Sequence, residues 1–190
     1  MIRIGDNVLQ GADKKPFVLA AEGMRNAVCV DAEYLGWFVE KYEGEKPQAL
    51  QKVRMIFETD DPMPEGSEDI HGNDISCRPK TIGKKYTLSQ HPKATLTQHL
   101  ESWRGRPWSV EELDPDIGWD MEEQIGSPCQ LLIQHKSIVE QKTGAPKTIG
   151  LVDRVMKAGD TKVKPSGHHV RIKDRDGYEA PSTVRPKLPK

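Results

Sequence analysis

Two long stretches in the N-terminal third of the chain are rich in β-forming residues arranged with a period of two, and this pattern constrains the fold more than any other feature. One is RNAVCVDAEYLGWF, residues 25–38, and the other is QALQKVRMIFET, residues 48–59. The second stretch has apolar side chains on one face and charged side chains on the other: Val53, Met55 and Phe57 against Lys52, Arg54 and Glu58. A period of two residues is typical of a β-strand with one buried face. We therefore expect two strands, the second of them with a basic face.

The rest of the chain supplies three further strands and one main helix. Residues 78–89, 129–136 and 148–158 have the length and composition of strands, and a Thr-Gly pair before the last one supports a hairpin. The resulting order is strand, strand, strand, helix, strand, strand. This is the order of an OB-fold, a mainly β, five-stranded Greek-key barrel with its helix between the third and fourth strands. An unrelated α+β sandwich could share that order.

The helix signals are concentrated just after the third strand. Pro92 suits the first helical position and Gly105 suits the residue that follows the last turn. An apolar stripe lies between them: Leu96, Leu100 and Trp103. We expect a helix over residues 92–104. Ser109 and Glu112 then have the spacing of a capping box, and Trp108 and Leu113 have the spacing of a hydrophobic staple. Both spacings predict a second short helical turn.

These elements divide the chain into three parts. Residues 1–23 form an N-terminal extension and residues 24–160 form the barrel domain. Residues 161–190 carry eight basic and three acidic side chains, four prolines and few large apolar residues. Such a composition does not bury enough apolar surface to fold by itself, so we expect a basic, mostly disordered tail.

Composition indicates an intracellular protein. The formal net charge is −1, and no apolar run approaches the roughly 20 residues of a transmembrane helix. The early apolar run at residues 17–21 is too short for a signal-peptide core. The three cysteines are odd in number and far apart, which favours reduced thiols over a disulfide framework: Cys29, Cys77 and Cys129.

Although the total charge is near zero, charges of opposite sign are segregated along the chain. Residues 76–108 carry seven lysines or arginines and one glutamate, whereas residues 58–74 and 110–123 each carry seven acids and no base. The first acidic stretch also has two prolines and two glycines, which predicts a solvated loop. In an OB-fold, the second and third strands carry the face that binds oligonucleotides.

A single-stranded nucleic acid needs cations for its phosphates and aromatic faces for its bases. The predicted phosphate contacts are Lys52, Arg54, Lys84, Lys85, Arg104 and Arg106, with Lys136 and Lys142 near the last hairpin. The predicted stacking residues are Tyr42 and Tyr86. Tyr86 shares strand parity with Ile82 and Leu88, which favours the core, unless a bulge at Gly83 exchanges the faces.

Catalytic motifs are absent, apart from one weak candidate. The sequence has no phosphate-binding glycine loop, no H-E-x-x-H and no G-x-S-x-G. Glu140-Gln141-Lys142 could be the E-x-K of a metal-dependent nuclease, although such a triplet arises readily by chance. The cysteines and histidines do not have zinc-site spacing. We expect no enzymatic activity, no cofactor and no metal.

One block of the sequence resembles a known family. In residues 84–113 a strand ends in Tyr-Thr-x-Ser, a helix ends in Ser-Trp-Arg-Gly-Arg, and a proline, an aromatic residue and an acidic cap follow. Residues 125–136 continue with Gly-x-Pro-Cys at the start of a strand. This block is similar to a family of phage and prophage single-stranded DNA-binding proteins found among replication and recombination functions. The resemblance covers at most residues 50–157. It implies that the protein has an OB-fold and is located in the cytoplasm of a bacterial host.

The leading hypothesis is a non-catalytic protein that binds single-stranded DNA, with RNA as a possible ligand and the oligomeric state open. A second hypothesis is an interaction module that inhibits or recruits a protein, such as a host defence factor or a recombinase, through its acidic stretches. The third is a nuclease that uses Glu140 and Lys142.

Overall fold

A computed structural model describes residues 18–41, 44, 46–69, 71–114, 118–140 and 144–188. The fold is mainly β, with five strands that match the five expected from the sequence: β1 (Gly23–Glu40), β2 (Gln48–Pro62), β3 (Pro79–Thr87), β4 (Pro128–Val139) and β5 (Pro146–Lys157). Two helices lie between β3 and β4: α1 (Thr95–Arg104) and α2 (Val110–Leu113). Short 3₁₀ turns occur at Met121–Gln124 and Ile172–Asp174.

The strands form one antiparallel sheet in the order β3-β2-β1-β4-β5. Because β4 returns to the side of β1 after a three-strand meander, the order of the first four strands is that of a Greek key. β1 pairs with β2 over most of its length, but with β4 only over residues 23–28. Two bulges in β1, between Cys29 and Asp31 and between Tyr34 and Gly36, shift its register against β2 and bend it.

The core lies between the concave face of this sheet and α1. Val53, Met55 and Phe57 are all buried on the face that their alternation predicts. Cys29 and Cys129 are buried beside them, and burial raises the pKa of the Cys29 thiol to about 12. All three cysteines, including the exposed Cys77, are free thiols.

Helix α1 has the apolar stripe expected of it, with Leu96, Leu100 and Trp103 buried against the sheet. It ends as predicted, because Gly105 adopts the left-handed conformation (φ 68°) and its N–H bonds to the Glu101 carbonyl. Its beginning differs from the prediction. Pro92 lies in a turn closed by the Ala94 N–H and the His91 carbonyl, and the helix starts at Thr95. The fixed φ of proline suits the second position of a turn as well as the first position of a helix.

The predicted capping box of α2 is present. The Ser109 hydroxyl accepts from the Glu112 N–H, and the Glu112 carboxylate accepts from the Ser109 N–H. The predicted staple takes a different form. Trp108 packs edge-on against Trp119 with ring centroids 5.2 Å apart, whereas Leu113 is exposed.

The acidic stretch at residues 58–74 is only partly the solvated loop that its composition indicates. β2 continues to Pro62, and Glu58 is 2% exposed within it. Beyond the strand the loop is exposed, and it is closed by backbone bonds between Met63 and both Arg78 and Cys77. The prediction of a loop from residue 58 onward is therefore wrong for the end of β2.

The C-terminal strap, residues 161–188, is the segment for which composition predicts disorder, and several of its groups bond to the sheet. The Ser166 N–H and hydroxyl donate to the Glu58 carboxylate, the Ile172 N–H donates to Asp31, and the Trp37 indole N–H donates to the Thr183 carbonyl. Composition indicated disorder because the strap has few apolar side chains. It is held instead by polar groups of β1 and β2 that are remote in sequence.

We expect docking of the strap to weaken at acidic pH. Asp31 is 1% exposed, and burial raises its pKa, but bonds from Ile172, His169 and Arg171 outweigh that effect and lower the pKa below its usual range. Bonds from Arg171 and Lys173 lower the pKa of Glu122 to about 2. A carboxyl group whose pKa is lowered by docking stabilises the docked state at pH values above the pKa of the free carboxyl, which is about 4. This stabilisation is lost as the pH falls through the pKa of the docked carboxyl.

An NMR titration of the Ile172 amide between pH 6 and pH 2 measures this loss. The Ile172 resonance should move below about pH 4 while a core amide such as that of Val152 is unchanged. An Ile172 resonance that moves only together with Val152 would assign the transition to global unfolding.

Candidate functional site

A cleft of about 560 Å³ lies between β3 and the N-terminal end of α1. Four lysines line it, and the other polar lining residues are neutral hydroxyl side chains and a histidine: Lys52, Lys84, Lys85 and Lys93, with Thr87, Ser89, His91 and Thr95. Three of these lysines are among the phosphate contacts expected from the sequence. The fold thus brings Lys52, Lys84 and Lys85 to one concave surface and adds Lys93 to them.

The connection from β3 to α1 shapes this cleft. The Leu88 N–H bonds to the Gln51 carbonyl, which extends the contact of the chain with β2 beyond the end of β3. The Thr97 hydroxyl then donates to the Ser89 carbonyl and ties the first turn of α1 to the same connection. The first turn has no acidic residue, and Ala94 at the N-cap provides no side-chain cap. The positive end of the helix dipole therefore adds to the charge of the lysines.

Three of the four lysines have no carboxylate partner among the described residues. Lys84 Nζ donates to the Val152 carbonyl at 2.7 Å, which is a neutral acceptor. Lys85 Nζ lies 5.1 Å from the centroid of the Phe38 ring, and Lys93 is exposed. A cation–π contact leaves the ammonium charge available to an anion.

The fourth lysine is held differently. Lys52 is 7% exposed, and its Nζ lies 2.8 Å from both a Glu40 carboxylate oxygen and the Thr87 hydroxyl. Arg54, on the same strand, bonds through Nε to Glu33 at 2.7 Å and does not line the cleft. The charges of Lys52 and Arg54 are thus largely matched within the protein, so neither is as available to a phosphate as the sequence suggested.

Arg104 and Arg106 both bind Glu112. Arg104 has a side chain only 9% exposed, lies over the rings of Trp108 and Trp119 at 4.7 and 5.8 Å, and bonds to the Glu112 carboxylate. Arg106 forms a bidentate pair with Glu112 at 2.9 and 2.8 Å. This pair is the main reason that the pKa of Glu112 is lowered to about 2. Arg104, which is predicted from the sequence as a phosphate contact, joins α1 to α2 through its bond to Glu112. Arg106 is 55% exposed and shares the single Glu112 carboxylate with Arg104.

Tyr86 belongs to the core. It is 3% exposed, and its hydroxyl lies 3.0 Å from His99 Nδ1. The register of β3 against β2 runs without interruption from Thr81 to Thr87, so no bulge at Gly83 turns the ring outward. Although Tyr86 contributes to the floor of the cleft, its ring has no free face on which a base could stack.

The remaining predicted contacts lie elsewhere. Lys136 is exposed on β4, opposite Ile149 of β5, and does not line the cleft. Tyr42 and Lys142 lie outside the described residues, so the nuclease triplet is described only at Glu140. Within the described ranges, no group of three His, Cys, Asp or Glu side chains could hold a metal ion. None of the helices there has the length and apolar character needed to cross a membrane.

Lys93 is not among the contacts predicted from the sequence, and Phe38 is an aromatic candidate set aside in favour of Tyr42 and Tyr86 on the sequence alone. Lys93 precedes the first turn of α1, where the helix dipole disfavours a cation. A lysine at such an unfavourable position indicates an anion-binding site. Phe38 follows Trp37 near the end of β1 and is 36% exposed. No pattern in the sequence indicates that Phe38 lies beside Lys85, because β2 separates the two strands.

Many acidic side chains, by contrast, bond to the protein itself. Asp61 accepts from Lys80 Nζ at 3.0 Å and from the Ala21 N–H at 2.7 Å. Asp69 and Asp74 accept backbone N–H groups of their own loop. These acids shape the loop after β2, and this leaves fewer carboxylates for a basic protein partner than the sequence suggested.

Comparison of the chain with known protein families, with curated proteins and with solved structures finds no match.

Proposed function

We propose that this chain binds single-stranded nucleic acid, and single-stranded DNA in particular, without catalysing a reaction. The observation that carries the proposal is the basic cleft beside β3, where Lys84, Lys85 and Lys93 have no carboxylate partner within the described part of the chain. Such a surface attracts phosphates of any sequence. Phe38 is exposed next to Lys85 and can stack on a base, since every base has an aromatic face.

We further propose that the sheet closes into an OB-fold barrel. Two contacts between its edge strands support closure: Lys84 Nζ on β3 bonds to the Val152 carbonyl on β5, and the Ile82 side chain lies against Gly150. Helix α1, which follows β3 in the chain, is joined to the start of β4 by the bond from the Trp103 indole to the Pro128 carbonyl. In an OB-fold the second and third strands belong to the ligand-binding face, which agrees with a site beside β3.

A role in phage replication or recombination is supported by the resemblance of residues 84–113 and 125–136 to that family of single-stranded DNA-binding proteins. The block that carries the resemblance is largely structural here, since Trp103, Arg104 and Glu112 fix α1 against α2 and β4. It therefore supports the proposal through a shared fold and not through shared DNA contacts.

A salt series with a fluorescent oligonucleotide tests the function. We expect stronger binding to a single strand than to a duplex, and an affinity that falls by about 0.7 log units per log unit of salt for each phosphate neutralised. A matched RNA oligonucleotide separates the two possible ligands, because only RNA offers a 2′-hydroxyl. Absence of salt-dependent binding at low micromolar protein would exclude the proposed function.

A further inference from the structure

The C-terminal strap follows β1 toward the cleft. It meets Glu58 at Ser166, Asp31 at residues 169–172, and Gly36 and Trp37 at residues 181–183. Over residues 29–40, β1 has no strand partner on the side away from β2 within the described ranges. The strap therefore covers a part of β1 that would otherwise present an open edge.

Three carboxylates hold the strap. Asp31 accepts from Arg171 Nε at 3.3 Å and from the Ile172 N–H at 2.7 Å, and Glu122 accepts from Arg171 Nη2 and Lys173 Nζ, each at 2.8 Å. Glu58 accepts from Ser166. Asp31 and Glu58 are almost fully buried under the strap. Without the strap, Asp31 and Glu58 would lose these hydrogen-bond partners.

The far end of the strap carries cations that these carboxylates do not use. The Arg185 guanidinium lies 5.6 Å from the centroid of the Trp37 ring, and Arg185 and Lys187 are both exposed. No carboxylate partner of either side chain occurs within the described part of the chain. Residues 180–188 contain no acidic residue. This end of the strap is thus a short basic segment fixed in place by the anchors that precede it.

The register of β1 against β2 relates this segment to the cleft. Gly36 and Phe38, which flank Trp37, are opposite Lys52 and Leu50, and both of those residues line the cleft. Neighbouring strands lie about 4.8 Å apart. The approach of the strap is close, because a Cβ atom at Gly36 would lie only 3.0 Å from Pro181 Cβ. Trp37 itself is opposite Gln51, which does not line the cleft, so Arg185 lies against β1, the strand next to the cleft residues of β2.

We propose that the C-terminal strap forms part of the nucleic-acid interface: Arg171 and Lys173 neutralise Asp31 and Glu122, and Arg185 and Lys187 extend the phosphate-binding surface of the cleft. This inference rests on the proposed function and adds a second binding element to it. The opposite arrangement, in which the strap blocks a ligand, predicts tighter binding when the cations at its end are removed.

Two double variants separate these arrangements. R185A/K187A removes the cations beside Trp37, and K162A/K164A removes two exposed lysines at the other end of the strap as the matched control. In a salt series with a single-stranded DNA oligonucleotide, R185A/K187A should lower the slope of log affinity against log salt by up to about 1.4, which corresponds to about 0.7 for each lost phosphate contact. K162A/K164A should keep the slope of the unmodified chain.

An unchanged slope in R185A/K187A, or tighter binding by it, overturns the role of the strap while the proposed function stands. Absence of binding by the unmodified chain overturns both proposals. The Ile172 amide resonance should be unchanged in both variants, which verifies that the strap remains docked at Asp31.

Discussion

Replacing Lys85 and Lys93 by glutamate should weaken single-stranded DNA binding at least about 25-fold at 0.1 M monovalent salt. Each phosphate contact contributes about 0.7 log units of affinity per decade of salt below 1 M, so two lost contacts correspond to about 1.4 log units, and the new negative charges add repulsion. Because both lysines are exposed, their replacement should change binding without disturbing the packing of the core. Fluorescence anisotropy of a labelled oligonucleotide measures the change.

K162E/K164E is the matched control for this variant. It makes the same change in net charge at exposed positions that do not line the cleft. If both double variants lose affinity equally, binding depends on total charge and the cleft is not the site. If neither loses affinity, the lysines of the cleft do not contact the ligand.

The largest effect on stability is expected for Trp103→Ala. Trp103 is 4% exposed, packs 5.7 Å from the Phe57 ring centroid and donates its indole N–H to the Pro128 carbonyl at 2.8 Å. Replacing a buried tryptophan by alanine lowers the free energy of unfolding by about 3–5 kcal/mol, because it removes apolar burial and leaves a cavity. Urea denaturation followed by far-UV circular dichroism measures the loss.

Trp37→Ala provides the comparison, since Trp37 is only partly buried and bonds to the strap. It should cost less than Trp103→Ala. A loss below about 1 kcal/mol for Trp103→Ala would contradict the packing of α1 against the sheet.

The sequence predicted those elements whose determinants are local. Alternation assigned Val53, Met55 and Phe57 to the core, and glycine at position 105 marked the end of α1. Alternation failed in β1, where a bulge after Cys29 interrupts the period and residues 27–31 are all buried. The sequence shows only a run of four apolar residues here, 27–30, and such a run does not by itself reveal a bulge.

The site was less predictable, because its charges are set by partners far away in the chain. Lys52 pairs with Glu40 across a hairpin, and Arg104 is enclosed by Trp108, Trp119 and Glu112. Both cations look available in the sequence, and both are buried in the fold. Asp31 and Arg171 are 140 residues apart, so no local pattern indicates that the strap docks.

The location of the ligand is the central claim, and an NMR titration with a short single-stranded DNA oligonucleotide tests it most directly. We expect the largest amide shift changes at residues 84–87 and 93–97, on the two sides of the cleft, with smaller changes around Trp37. Shift changes confined to the hairpin of β4 and β5 around Lys136, or no changes at all, would contradict the assignment of the cleft as the binding site.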